Sequence, residues 1–174
     1  VLGAVVVGCG GGSEDGKIAF GSDRDGDHEI VVMNADGTGV TQLTQNDDDD
    51  LYPVWSPNGG KIAFGSDRDG DHEIFVMNAD GTGVTQLTHN DDDDLYPVWS
   101  PNGDKRAVAS RVGGDGATWL MQDHGTSVNQ HTHNDDDDCG TLWSPTHAKS
   151  ICHSTQSTHR ARWLYNLPVD RRLT

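Results

Sequence analysis

Apolar and polar residues alternate in short bursts along this chain, and no stretch keeps the period of an amphipathic helix. The run LYPVWS ends at Pro57-Asn58-Gly59-Gly60, KIAFGS leads into the polar segment DRDGD, EIFVMN leads into Ala79-Asp80-Gly81-Thr82-Gly83, and VTQLT follows. Each run is rich in β-branched and aromatic residues and is bounded by Gly, Asn, Asp or Pro. That is the chemistry of strands joined by tight turns. The pattern predicts antiparallel strands in groups of four and essentially no helix.

The group of four recurs every 44 residues. Residues 17–60 return at 61–104 with three changes, Val31 to Phe75, Gln45 to His89 and Gly60 to Asp104. The register continues through Lys105 and Lys149, sets Trp55, Trp99 and Trp143 in equivalent WSP triplets, and carries NDDDD to 46–50, 90–94 and 134–138. The units are therefore 17–60, 61–104, 105–148 and 149–174. The later two have decayed: GSDRDGDHEI becomes ASRVGGDGAT and then HSTQSTHRAR. Four short strands in about 40 to 45 residues make one blade of a β-propeller, and stacking blades around an axis protects sheet edges that would otherwise aggregate. The expected fold is all-β, a propeller of four-stranded antiparallel blades with about four blade-sized units.

The segment KIAFGSDRDGDHEIFVMNADGTGVTQLT followed by YPVWSPNG resembles the TolB-like propeller repeat of bacterial envelope proteins. The resemblance covers two whole units closely and the flanking units by register, WSP, NDDDD and the closing RRLT at Arg171 to Thr174. It implies a β-propeller with a periplasmic or extracellular binding role.

Charge narrows the partners. The chain carries 28 acidic against 12 basic side chains, a formal charge of -16, and only 33% apolar residues. Nucleic acid is excluded as a usual partner, because phosphate contacts need clustered Lys and Arg and here they are scattered. No apolar run is long enough to span a bilayer, so a membrane is reached only through an anchor.

The first residues support two readings. VLGAVVVGCGGGS resembles a lipoprotein processing site, with Cys9 as the lipidated residue and the glycines up to residue 16 as a tether. Alternatively, subtracting 44 from Trp55 lands on Gly11, which makes Val5 to Val7 the inner strand of a first blade. A phosphate-binding loop fails on context, since no helix follows and Ser13 stands where the last glycine of GxGxxG belongs.

Two acidic clusters are candidate cation sites, with calcium as the expected ion. In the first, Asp23, Asp25 and Asp27, repeated as Asp67, Asp69 and Asp71, set carboxylates at alternate positions as a calcium loop does. The match is incomplete, because the position needing Gly is His28 or His72 and the position needing Glu is Asn34 or Asn78. The competing reading is a hairpin turn, which favours the same residues. In the second, the NDDDD loops precede the inner strands, so Asp50, Asp94 and Asp138 are expected near one mouth of the central channel. Solvated loops are the plain alternative.

The remaining features argue for structure. Nine histidines, many of them late in the chain, match no zinc spacing. His131 stands where Leu87 stands in the intact unit, which points to drift. Cys139 and Cys152 fall on the two inner strands of the fourth unit, where a disulfide is conceivable. The three WSP tryptophans are expected to pack between neighbouring blades. No nucleophile, base and acid set is visible. The functional expectation is a non-enzymatic scaffold of the bacterial envelope or exterior that binds a protein, glycan or cation. Self-association through incomplete blades and a propeller hydrolase or lyase are the alternatives.

Overall fold

The computed structural model describes residues 6–7, 16–110, 116–122, 124–126, 128–132, 138–143, 149–154 and 162–166. Strands β1 (Val6–Val7), β2 (Lys17–Ser22), β3 (Glu29–Asn34) and β4 (Thr41–Gln42) form the first sheet. The second holds β5 (Asp50–Trp55), β6 (Lys61–Ser66), β7 (Glu73–Asn78) and β8 (Thr85–Gln86). The third holds β9 (Asp94–Trp99), β10 (Lys105–Ser110), β11 (Ala117–Gln122) and β12 (Asn129–Gln130). In the fourth, β13 (Asp138–Trp143), β14 (Lys149–Ser154) and β15 (Arg162–Asn166) are described. Every pairing is antiparallel and follows chain order, and no helix occurs among the described residues. The architecture is that of propeller blades, with β1, β5, β9 and β13 in contact from sheet to sheet.

Val6–Val7 takes the inner-strand position, with Val6 opposite Ala19 and Val7 opposite Ile18. Cys9 lies outside the described residues. Cys139 and Cys152 sit on the adjacent strands β13 and β14, but their side chains also lie outside the described set.

The core lies between sheets. Ala19, Ile30 and Val32 of the first sheet pack with Trp55, Ile62, Phe64, Phe75 and Met77 of the second. Ala63, Ile74, Val76 and Leu87 of the second pack with Trp99, Val108 and Met121 of the third. Each blade thus offers a small face forward and a bulky face backward. Burying one large apolar side chain contributes roughly 1.5 to 3 kcal/mol, so these seams hold the blades in sequence. The tryptophans reinforce them: Trp99 Nε1 donates to Val54 O at 3.3 Å, and Trp143 Nε1 donates to Val98 O at 3.2 Å.

Two local devices shape the seams. The inner strands β5, β9 and β13 bulge, with register shifts between Leu51 and Val54, between Ala107 and Ala109 where β10 meets β9, and between Cys139 and Leu142. At the bulge Tyr52 and Tyr96 take positive φ of 54° and 57°, a strained conformation for residues with a Cβ. In the sequence the equivalent positions of the first and fourth units are Gly8 and Gly140, the residue type to which such angles cost least. In the decayed third unit, Arg106 replaces Ile62 yet stays fully buried, with its guanidinium 3.8 Å from the Trp99 ring centre. A cation–π contact takes over part of the lost apolar packing.

Candidate functional site

The DRDGDHE segments are tight hairpin turns. Gly70 N donates to Asp67 O at 2.9 Å and Gly26 N to Asp23 O at 3.3 Å, with both glycines at positive φ. The NDDDD loop then folds onto these turns. His28 N donates to Asp49 Oδ1 at 2.9 Å, and the His28 ring nitrogen Nδ1 lies 3.2 Å from the same oxygen. Asp49 N in turn donates to Asp67 Oδ1 at 2.8 Å, in the turn of the next blade. His72 and Asp93 repeat the arrangement at 3.2 and 3.3 Å. The two acidic clusters, separate in the sequence, therefore interlock into one continuous rim that runs from blade to blade.

The fate of each predicted carboxylate follows. Asp25 accepts from Gln42 Nε2 at 2.7 Å, and Asp69 accepts from Gln86 in the same way. Asp67 holds the Asp49 backbone. Asp23 is exposed and Asp27 half-buried. Asp71 is pushed above the usual carboxylate range by burial first and then by Asp69, Asp91 and Asp93. Asp49 is held below that range, chiefly by the His28 backbone N–H. Asp50 and Asp94 depart from expectation: they turn inward, at 0% and 2% exposure, instead of lining an open mouth. Each is held there by a partner: Asn90 Nδ2 donates to Asp94 Oδ2 at 2.9 Å, and Asp50 pairs with an arginine. Arg68 Nη2 sits 2.8 and 3.1 Å from the two oxygens of Asp50. The side chain of Asp138 lies outside the described residues. Among the described residues no group of three acidic, histidine or cysteine side chains converges to hold a metal ion.

Beneath the rim Asp50 and Asp94 join a buried carboxyl layer whose glutamates, Glu29 and Glu73, the sequence reading did not single out. Asn46 N donates to Glu29 Oε1 at 2.6 Å while Asn46 Nδ2 donates to Asp50 Oδ2 at 2.9 Å, so one asparagine bridges two acids. Asn90 does the same for Glu73 and Asp94 at 2.5 and 2.9 Å. Burial raises Glu29, and it pushes Glu73 up to about 7, with Asp94 adding to the rise. Repetition of Glu29, Asn46 and Asp50 in a single period was the available signal. A second omission is the tyrosine pair on the inner strands. Tyr52 and Tyr96 lie with ring centres 4.4 Å apart and hydroxyls 3.4 Å apart, and Tyr96 is exposed.

His72 and Asp93 form a pair, yet among the described residues no hydroxyl or thiol bonds the other ring nitrogen. What the rim offers is a dense negative surface. Asp47 and Asp91 are exposed and Asp48 and Asp92 half-exposed on loops anchored by their neighbours.

Comparison with known proteins places this geometry. The family described as TolB beta propeller domain matches residues 12–173. The Tol-Pal system protein TolB of Geobacter sulfurreducens is 50% identical over 44 residues, which are 25% of this chain and 10% of that protein. A solved structure assigned as TolB from Agrobacterium tumefaciens superposes with a TM-score of 0.78 at 22% identity, over 87% of this chain and 57% of that one. A puromycin-hydrolyzing peptidase of Mycobacterium tuberculosis superposes with a TM-score of 0.71 at 13% identity, over 95% of this chain and 29% of that one. The chain spans less than two thirds of each of these relatives, and the structural likenesses show the fold alone.

Proposed function

On the premise that the chain belongs to the TolB beta propeller domain family, we propose that it is a non-enzymatic binding scaffold of the bacterial cell envelope whose acidic rim receives a basic segment of a protein partner. The observation that carries this reading is the interlocking of the turn and loop carboxylates through His28, Asp49 and Asp67. A flexible acidic loop would lose entropy on meeting a partner; a rim already fixed by backbone hydrogen bonds loses less. Its excess of carboxylates over the turn arginines steers a cationic partner and disfavours nucleic acid. Envelope residence, and service in an assembly of the Tol-Pal kind, rest on the matched relative and on the family. The likeness to a peptidase carries no residue argument, because at 13% identity it shows the fold alone.

The test is fluorescence anisotropy with a labelled Lys/Arg-rich peptide. Binding should weaken as ionic strength rises, since contacts between exposed charges are screened within about 8 to 10 Å at physiological salt. Replacing Asp47, Asp48, Asp91 and Asp92 with Asn should weaken it about tenfold or more, without shifting the melt. Equal affinity for the neutralised rim defeats the proposal.

A further inference from the structure

We propose that the cleft between the WSPN turns of the second and third blades is a binding site for a short zwitterionic peptide, two or three residues long with both termini free. The cleft measures about 550 Å³, and polar groups of both turns line it around Trp99, Pro57 and Pro101. It lies apart from the acidic rim. Strand β6 starts at the cleft and ends at the rim turn, and its six residues span roughly 20 Å at about 3.3 Å each. That is about twice the reach of exposed charges in physiological salt.

Nearly identical turns build two different walls. In the second blade Lys61 N donates to Ser56 Oγ at 2.9 Å, Ser56 Oγ donates to Asn58 Oδ1 at 2.8 Å, and Gly60 N donates to the same oxygen at 3.0 Å. Two donors on Oδ1 fix the Asn58 amide, and neither its Nδ2 nor the Lys61 amine has a partner among the described residues. Both side chains are exposed. This wall offers hydrogen-bond donors and a positive charge. In the third blade Asp104 stands in place of Gly60, one of the three changes between the copies. Asn102 Nδ2 is spent on Asp104 Oδ2 at 2.8 Å, which holds the carboxylate in place with its other oxygen open to a ligand. One substitution thus converts a donor wall into an acceptor wall. Lys61 and Asp104 both line the cleft, yet no ion pair joins them.

A free peptide carries the complementary charges at its two ends. Its carboxylate would meet Asn58 Nδ2 and the Lys61 amine through charge-assisted hydrogen bonds, and its ammonium would meet Asp104. Two or three extended residues reach roughly 7 to 10 Å, which suits a space of this volume. Between the charges, Trp99 is 7% exposed and spends its Nε1 on Val54 O at 3.3 Å, so it presents ring surface alone. With the two prolines it favours an apolar or aromatic side chain. The spacing of the walls is set in advance, because a Cβ on Gly103 would lie 3.6 Å from Pro57 Cδ and the two turns are in contact there.

The experiment is isothermal titration of the whole chain with the dipeptide alanyl-phenylalanine. The expected result is saturable binding in the millimolar range or tighter. The N-acetylated and the C-amidated dipeptide, each lacking one charge, should bind about fivefold more weakly or worse, the upper end for an exposed ion pair. Asp104→Gly restores the residue of the second blade; it should keep the melting temperature, weaken the free dipeptide about fivefold and remove its advantage over the acetylated one. Lys61→Gln should do the same for the amidated dipeptide, and it decides the matter if the first variant fails to fold. Absence of saturable binding, equal binding of the capped dipeptides, or affinity untouched by the folded variants overturns the proposal.

Discussion

Arg68 and Asp50 form a bidentate pair within one blade, with the guanidinium nitrogen Nη2 at 2.8 and 3.1 Å from the two oxygens of an acid that is fully buried. Arg24, its counterpart one repeat earlier, faces a different situation, because the position equivalent to Asp50 is Val6. Arg24 is exposed and bonds Ser22 Oγ at 2.9 Å. The same residue in the same turn therefore has two energetic roles. Arg68→Ala strands a buried carboxylate and should destabilise by about 3 to 5 kcal/mol. Arg24→Ala should change stability by less than about 0.5 kcal/mol. Urea unfolding of the two variants checks this, and equal losses would contradict it.

The second carboxyl layer gives a pH dependence. Glu73 is fully buried beside Asp94 and titrates near 7, against 4.5 for an unperturbed Glu. Its pKa is raised, so the folded state holds a proton that the unfolded chain has released. The stability this adds is complete below about 4.5 and is lost as pH rises through about 7. Glu73→Gln mimics the protonated form and keeps an acceptor for Asn90 N. That variant should melt at the same temperature as the parent near pH 5 (about the unperturbed value) and a few degrees above it near pH 8 (above the folded value). Parallel melting curves across that range would remove the role of Glu73.

Glycines in the ADGTG turn separate backbone strain from contact between blades. At Gly81, with φ of +86°, an added Cβ would lie 2.9 Å from Leu43 O of the preceding blade. At Gly37, with φ of +83°, it would meet nothing within 4 Å. Gly37→Ala should cost about 1 kcal/mol for the left-handed backbone alone. Gly81→Ala should cost roughly 1 to 3 kcal/mol more, because the turn must pull away from its neighbour. Thermal melts of the pair measure the difference, and identical melts would mean that the turn does not touch the preceding blade.

The repeat made most of the fold legible. The strand runs, their order and the seam position of the WSP tryptophans all follow from one 44-residue period. The period was informative because blades are local units whose strands pair in chain order. The candidate site was less legible, because its contacts skip between periods. His28 reaches Asp49 across 21 positions and Asp49 reaches Asp67 across 18, so a reading of each cluster by itself kept them apart. Asp50 and Asp94 read as rim residues because they end an acidic run. Their burial depends on Arg68 and on Asn90, partners 18 and 4 positions away.

Calcium separates a cation site from a turn. Asp25 and Asp69 spend an oxygen on Gln42 and Gln86, and Asp50 spends both on Arg68. Melts in millimolar calcium and in chelator, at matched ionic strength, should therefore coincide. A rise of several degrees in calcium would assign a cation to the rim, and Asp25→Asn with Asp69→Asn would show whether the turns hold it.

The central claim is that the turn and loop carboxylates act as one surface. Hydrogen–deuterium exchange of the chain with and without a Lys/Arg-rich peptide tests it most directly. Protection should appear together over 23–29, 46–50, 67–73 and 90–94, the segments joined by the His28–Asp49–Asp67 and His72–Asp93 contacts. Protection confined to one cluster, or centred on the turns at 57–60 and 101–104, would contradict the account.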